Sequence, residues 1–226
     1  NTTGTSNVAV GAYTLDANTT GESNTALGYN ALSVNTTANN NTAVGRNALE
    51  VNTSGTQNTA VGTFSLDANT TGYNNTACGY NSLSANSTGI RNAAFGAHSC
   101  RSTTGSHNTG LGYETLYSNT SGSENVAVGG FCMDSNTTGQ NNVGVGYGAL
   151  DANTTGYQNV AIGSRALDAN TTGENLVAIG YNALGSNTTN SGNTAVGAFA
   201  LEDNTSSNNT GIGYHALKEN TSGAQN

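Results

Sequence analysis

A glycine that returns at a fixed interval constrains this chain more than any other feature. Gly11, Gly28, Gly45, Gly62, Gly79, Gly96, Gly112, Gly129, Gly146, Gly163, Gly180, Gly197 and Gly213 stand 17 residues apart, with 16 only from Gly96 to Gly112 and from Gly197 to Gly213. Each closes a motif of the form NTAVG, present unaltered at Asn41 to Gly45, Asn58 to Gly62 and Asn193 to Gly197. A consensus unit, GYNALDANTTGYNNTAV, fills residues 1–226 without a linker, so we read one continuous repeat array with no separate domains. With so short a period, each unit is one supersecondary element that buries its apolar surface only by stacking on its neighbours.

Seventeen residues are too few for two packed helices and a turn, and Asn, Thr and Gly are poor helix formers. The expectation is therefore an all-β parallel β-solenoid, a β-roll of about thirteen 17-residue coils. Pairs such as Val8 and Val10, Thr42 and Val44, and Val160 and Ile162 alternate with period 2. This arm reads as a strand whose alternate side chains enter the core. Between them stand Ala9, Ala26, Ala43, Ala60, Ala77, Ala94, Gly110, Ala127, Gly144, Ala161, Ala178, Ala195 and Gly211, none larger than a methyl. An exposed strand face normally collects Thr, Lys or Glu. The alanines are accordingly expected to be a self-association face, pressed against another copy of the chain.

Four residues after the glycine runs an aliphatic ladder of Leu15, Leu32, Leu49, Leu66, Leu83, Leu116, Leu150, Leu167, Leu184, Leu201 and Leu217, with Cys100 and Met133 substituting. One residue after it stand Tyr29, Tyr80, Tyr113, Tyr147, Tyr181 and Tyr214, or two residues after it Tyr13, Phe64, Phe131 and Phe199. That mutual exclusion predicts a shared pocket with room for one ring per coil. Cys78, Cys100 and Cys132 read as small hydrophobes rather than as a disulfide framework.

Two asparagine columns complete the unit. The one just before the strand includes Asn24, Asn41, Asn58 and Asn75; the other comprises Asn18, Asn35, Asn52, Asn69, Asn86, Asn119, Asn136, Asn153, Asn170, Asn187, Asn204 and Asn220. Stacked Asn side chains can bond along the column as amide ladders. Every member of the second set also sits in an Asn-Thr/Ser-Thr/Ser triplet, the N-glycosylation acceptor pattern. Both a structural ladder and a glycan-bearing corner are compatible with that string. Glycines of the TTG turns, such as Gly72, Gly156 and Gly173, are expected to supply a positive φ.

The motif NVAIG at Asn159 to Gly163 resembles the core of head repeats in trimeric autotransporter adhesins. The longer NTAVGYNAL...NTTG unit is similar to 17-residue repeats of tail-fibre-like surface proteins from bacteria, phages and large viruses. This resemblance covers all 226 residues. It implies a left-handed β-roll, association as a homotrimer or filament, and an extracellular setting on a cell surface or virion fibre. The adhesin unit is shorter than the one found here.

Charge and chemistry narrow the functional classes. Charged residues are 8% of the chain and the net charge is -8, with five basic and thirteen acidic residues, so a phosphate backbone would be repelled and no nucleic-acid partner is expected. A catalytic centre needs different residues to converge, whereas a stack repeats one environment. His98, His107 and His215 are read as sharing no column, and no enzymatic activity, catalytic residue or cofactor is expected. Asp134, Asp151 and Asp168 do share one, read as a solvated acidic corner rather than a metal site. No apolar run is long enough to span a membrane, and the array is read as a segment of a longer fibre. The reading is a stiff structural shaft or head segment. The alternative is a solenoid surface that itself binds glycan or a host receptor through Tyr and Asn columns, with ice binding as a third possibility.

Overall fold

The computed structural model describes residues 1–226. It contains no helix and thirteen strands of three residues each: β1 (Val8–Val10), β2 (Thr25–Leu27), β3 (Thr42–Val44), β4 (Thr59–Val61), β5 (Thr76–Cys78), β6 (Ala93–Phe95), β7 (Thr109–Leu111), β8 (Val126–Val128), β9 (Val143–Val145), β10 (Val160–Ile162), β11 (Val177–Ile179), β12 (Thr194–Val196) and β13 (Thr210–Ile212). The chain forms two compact units, Asn1–Gly110 and Leu111–Asn226, built alike. In the first, β1 to β6 pair in succession, all parallel. In the second, β8 to β13 do the same. The fold is the expected parallel β-solenoid.

Register follows the repeat residue for residue, as in Thr42 with Thr59, Ala43 with Ala60 and Val44 with Val61. It survives a 16-residue coil: Thr194 pairs with Thr210 and Ala195 with Gly211, so the missing residue is absorbed in the turns.

The strands face the opposite way to the sequence reading. Ala26, Ala43, Ala60, Ala77, Ala94, Ala127, Ala161, Ala178 and Ala195 are wholly buried, while the residues flanking them are half-buried or exposed. Only Ala9, in the first coil, is exposed. The physical reason is the thinness of the coil. The alanines meet the buried leucine column and the small residues before it, Ala31, Ala48, Ala149, Ala166, Ala183 and Ala200, and nothing bulkier fits. Gly144 shows how tight the space is: a Cβ there would lie 2.5 Å from Cys132 Sγ and 3.0 Å from Met133 Cε, the larger side chains that this coil carries in place of the usual Ala and Leu.

The asparagine columns form the polar part of the same core. Asn35 Nδ2 donates to Asn18 Oδ1 at 3.0 Å in the preceding coil and to Ala38 O at 3.1 Å in its own turn. Asn136, Asn153 and Asn170 repeat this pattern. In the column before the strand, Asn41 Oδ1 accepts the Asn58 N–H at 3.0 Å and Asn41 Nδ2 donates to Gly55 O at 2.9 Å, both in the next coil. Buried backbone groups of the turns thereby find partners that an apolar core could not offer. Leu176 substitutes once, accepting no such bond and only donating its own N–H to Asn159 Oδ1 at 3.0 Å.

Turn conformations depart from expectation too. Gly72, Gly156 and Gly173 are not at positive φ. They are glycines for want of space: a Cβ on Gly72 would fall 2.4 Å from both Asn69 Oδ1 and Gly89 O. Positive φ belongs instead to the motif-closing glycines, such as Gly62 at 135°, to non-glycine residues two and four positions later, such as Asn30 at 56° and Leu32 at 52°, and to the residue before each strand-side asparagine, such as Gln57 at 58°. For leucine this is a strained conformation. It is held by the stack, since the Leu32 side chain is fully buried and its N–H donates to Ala48 O at 3.1 Å.

Candidate functional site

With the core accounted for, three features of the outer wall remain. The first is the strand face. Its outward columns run Thr42, Thr59, Thr76 in one row and Val44, Val61, Cys78 in the next within the first unit, and Val143, Val160, Val177 with Val145, Ile162, Ile179 within the second. Val61, Phe95, Val145, Ile162 and Ile179 are each among the exposed large hydrophobics, with Ile162 40% accessible. These columns carry no charge. The alanine column, assigned to self-association from the sequence, is sealed inside the coil and touches no solvent from Ala26 onward, so that assignment is corrected. Any packing of copies on the strands engages the flanking rows. Cys78 lies in one of them and is exposed, whereas Cys100 and Cys132 are buried, their thiols pushed up to about 12 by desolvation.

The second feature is an aromatic edge just beyond the closing glycine. No shared internal pocket exists: Tyr29, Tyr80, Tyr113, Tyr147, Tyr181 and Tyr214 are exposed. The mutual exclusion seen in the sequence is a zigzag. Within the second unit the bulky side chain alternates between first and second positions as Tyr113, Phe131, Tyr147, Arg165, Tyr181 and Phe199. Staggering brings neighbouring rings edge to face, with centroids 5.4 Å apart for Tyr113 and Phe131, 5.6 Å for Phe131 and Tyr147, and 5.2 Å for Tyr181 and Phe199. Such pairs prefer this geometry to face-to-face stacking and add about 0.5–1.5 kcal/mol each beyond area burial. Arg46 continues the edge as a cation 5.5 Å from the Phe64 ring centre. Two of the histidines do share a column, contrary to the sequence reading. His98 and His215 both stand two residues after the glycine, packing edge-on against Tyr80 at 5.3 Å and Phe199 at 5.0 Å. His107 lies elsewhere, its Nε2 3.3 Å from Arg91 Nη1.

The sequon column belongs to the interior. Asn35, Asn52, Asn69, Asn86, Asn119, Asn136, Asn153, Asn170, Asn187 and Asn204 are wholly buried and Asn18 nearly so, and only Asn220 is partly accessible. Glycan attachment needs a free side-chain nitrogen, but Asn153 Nδ2 is engaged by Asn136 Oδ1 at 2.8 Å and Gly156 O at 3.0 Å. The candidate glycosylation sites are therefore corrected to ladder residues in the folded chain.

Third comes the acidic column, one residue past the leucines. Asp67 and Asp134 are half-buried, and desolvation pushes each carboxyl up to about 6. Asp151 is raised by desolvation and by Asp168, and Asp168 by desolvation against the lowering pull of Arg165. Asp151 and Asp168 join Phe131, Tyr147, Gly148 and Arg165 in lining an open depression of about 270 Å³. Sequence reasoning passed over this place because it treated the acidic and aromatic columns separately; the signal was Gly148, where the second-position column carries no side chain. No three His, Cys, Asp or Glu residues gather as a metal cluster, and no helix is long and apolar enough to cross a membrane. Comparison with protein-family models, curated proteins and solved structures finds no match.

Proposed function

We propose that the chain is a structural segment of an extracellular fibre, a stiff β-solenoid whose strand face packs against further copies of itself. The observation that carries this reading is the pair of outward, uncharged strand columns, in which Val145, Ile162 and Ile179 repeat at the spacing of neighbouring parallel strands. Exposed contiguous apolar stripes mark interaction surfaces. A second copy, bearing the same rows at the same spacing, is the partner whose periodicity matches. The resemblance to adhesin head repeats supports a trimer and the extracellular setting. Repetition supports a mechanical role over catalysis, because every coil presents the same few side chains.

The test is the solution mass of the chain by light scattering, with Ile162→Glu and Ile179→Glu alongside. Three times the chain mass, falling to a single mass in the doubly substituted protein with its circular dichroism unchanged, is expected. A single chain mass for the unsubstituted protein at high concentration overturns the proposal. Thermal hysteresis from such a monomer would assign the Thr and Val rows to ice instead.

A second reading, in which the solenoid wall itself binds glycan, draws on the exposed aromatic edge alone, since both asparagine columns are occupied in the interior.

A further inference from the structure

The zigzag edge has one place where its pattern opens. Gly148 holds the second position of its coil, between Phe131 in the coil before and Arg165 in the coil after. It forms the floor of the depression, its N–H donating to Gly130 O at 3.0 Å. A Cβ at Gly148 would meet nothing closer than Arg165 Cγ at 3.9 Å. The other five lining residues divide by chemistry: two rings in edge contact, one guanidinium and two carboxylates, around about 270 Å³. That volume lies just under the roughly 300–1,000 Å³ of pockets for drug-sized molecules, which suits a ligand of one or two rings.

We infer that this depression is a saccharide-binding subsite, taking a neutral pyranose whose C–H face stacks on one of the two rings, Tyr147 or Phe131, and whose rim meets the other, since the rings stand 74° apart. The inference rests on the second reading above and is independent of self-association, which uses the strand face. Aromatic faces carry negative charge density and attract the weakly positive C–H face of a sugar ring. Ring hydroxyls then donate to the Asp151 and Asp168 carboxylates and accept from Arg165, a combination that an apolar ligand would leave unpaired. The carboxylates repel each other, and Arg165 lies close enough to Asp168 to offset part of this. Two acids against one base disfavour acidic sugars, while the resident guanidinium already fills the role a cationic ligand would play.

The site is shallow and its ligand small, so binding to a single subsite should be weak, with a Kd on the order of millimolar. The experiment uses the full chain and ligand-observed saturation-transfer NMR with cellotriose, chitotriose and methyl α-mannoside as neutral probes, and glucosamine and glucuronic acid as charged ones. At least one neutral probe should show saturation transfer, confined to its ring C–H protons. Gly148→His should abolish it, since Tyr214 and His215 stack at 4.0 Å in the equivalent positions with His215 at φ 57°, and the chain therefore tolerates the pair. Asp151→Asn should weaken binding about 10-fold, and Tyr29→Ala, an exposed ring in the other unit, should leave it unchanged. Absence of transfer from all three neutral probes overturns the proposal. So does binding of glucosamine alone, which would make this a cation site, or neutral binding that Gly148→His leaves intact, which would place the sugar elsewhere on the wall. None of these outcomes bears on the light-scattering result.

Discussion

The inside and the outside of each coil invert the usual expectation of size. Inside stand Ala161, Asn153 and Leu150, of which only the leucine is a large hydrophobe; outside stand Val160, Ile162 and Tyr147. In a globular domain large aliphatic side chains fill the interior, because a thick core rewards volume. A coil of 17 residues encloses so little space that its interior admits methyls, one leucine and hydrogen-bonded amides. The larger β-branched residues stay on the wall, where their strand preference still counts. Size thus reports available room, and in a thin solenoid the room is outside.

The sharpest way to break this comparison is a charge on either side of one strand. Ala161→Glu should unfold its unit, because an unpaired carboxylate and its added volume have no place in the interior; a loss of more than about 4 kcal/mol is expected. Ile162→Glu, one residue away, should change the stability of the monomer by about 0.5 kcal/mol or less, as surface substitutions do. Urea denaturation of the two variants checks both. Equal effects would mean that the strand has no distinct inner and outer face.

Next in size comes the amide ladder. Asn153→Ala would leave Asn136 Oδ1 without its donor and Asn170 Nδ2 without one of its two acceptors, while Gly156 O keeps the Asn142 Nδ2 donor at 2.9 Å. A buried group so orphaned costs about 1–3 kcal/mol, so a loss of about 2 kcal/mol is expected by the same denaturation, even though no hydrophobic contact is removed. An effect below about 1 kcal/mol would show that water replaces the ladder.

Much of this was legible beforehand. Glycine spacing determines the coil, Asn columns announce the ladders and leucines mark the inner arm, because each repeats along the stack and stacking is the whole architecture. The phase of the strand was not legible. Alternation over three residues has two solutions that differ by a flip of every side chain, and choosing between them by residue size presumes a thick core. The left-handed turn positions had a readable signal that was missed: Asn30, Asn47, Asn81 and Asn182 share a column with Gly148, the residues that tolerate such φ values best. No pattern of that kind announces Leu32 or Leu49 at φ 52° and 50°, where packing overrides preference.

A smaller effect comes from the two 16-residue coils. Asn86 Oδ1 and Asn187 Oδ1 are both buried without a partner, and each precedes a shortened turn. After Asn86 the column carries Thr103, and after Asn187 it carries Asn204, whose Nδ2 bonds Ser206 O at 2.5 Å, two residues on rather than the usual three. Asn204 shows that an asparagine ahead of a shortened turn still leaves the preceding Oδ1 unpaired, so Thr103→Asn should leave Asn86 Oδ1 without a donor and shift stability by about 0.5 kcal/mol or less. A gain of about 1 kcal/mol in thermal denaturation would instead show that the residue, and not the shortened turn, breaks the ladder.

The least effect belongs to pH, and its sign distinguishes the wall from the core once more. Asp67 and Asp134 sit half inside, and burial raises each carboxyl from 3.8 to about 6. Between these values the folded chain binds protons that the unfolded chain does not, so stability falls as pH rises from about 4 to about 6 and is greatest at the acid end of that window. Partial exposure screens the effect, and a Tm higher by on the order of one or two degrees at pH 4.5 than at pH 7 is expected. Asp67→Asn and Asp134→Asn together should raise the Tm at pH 7 and flatten the profile, because an amide carries no charge to desolvate. A Tm that instead drops on acidification, as it does where carboxylates are stabilised by partners, would mean that these two side chains turn outward and belong with Ile162 on the solvent side of the wall.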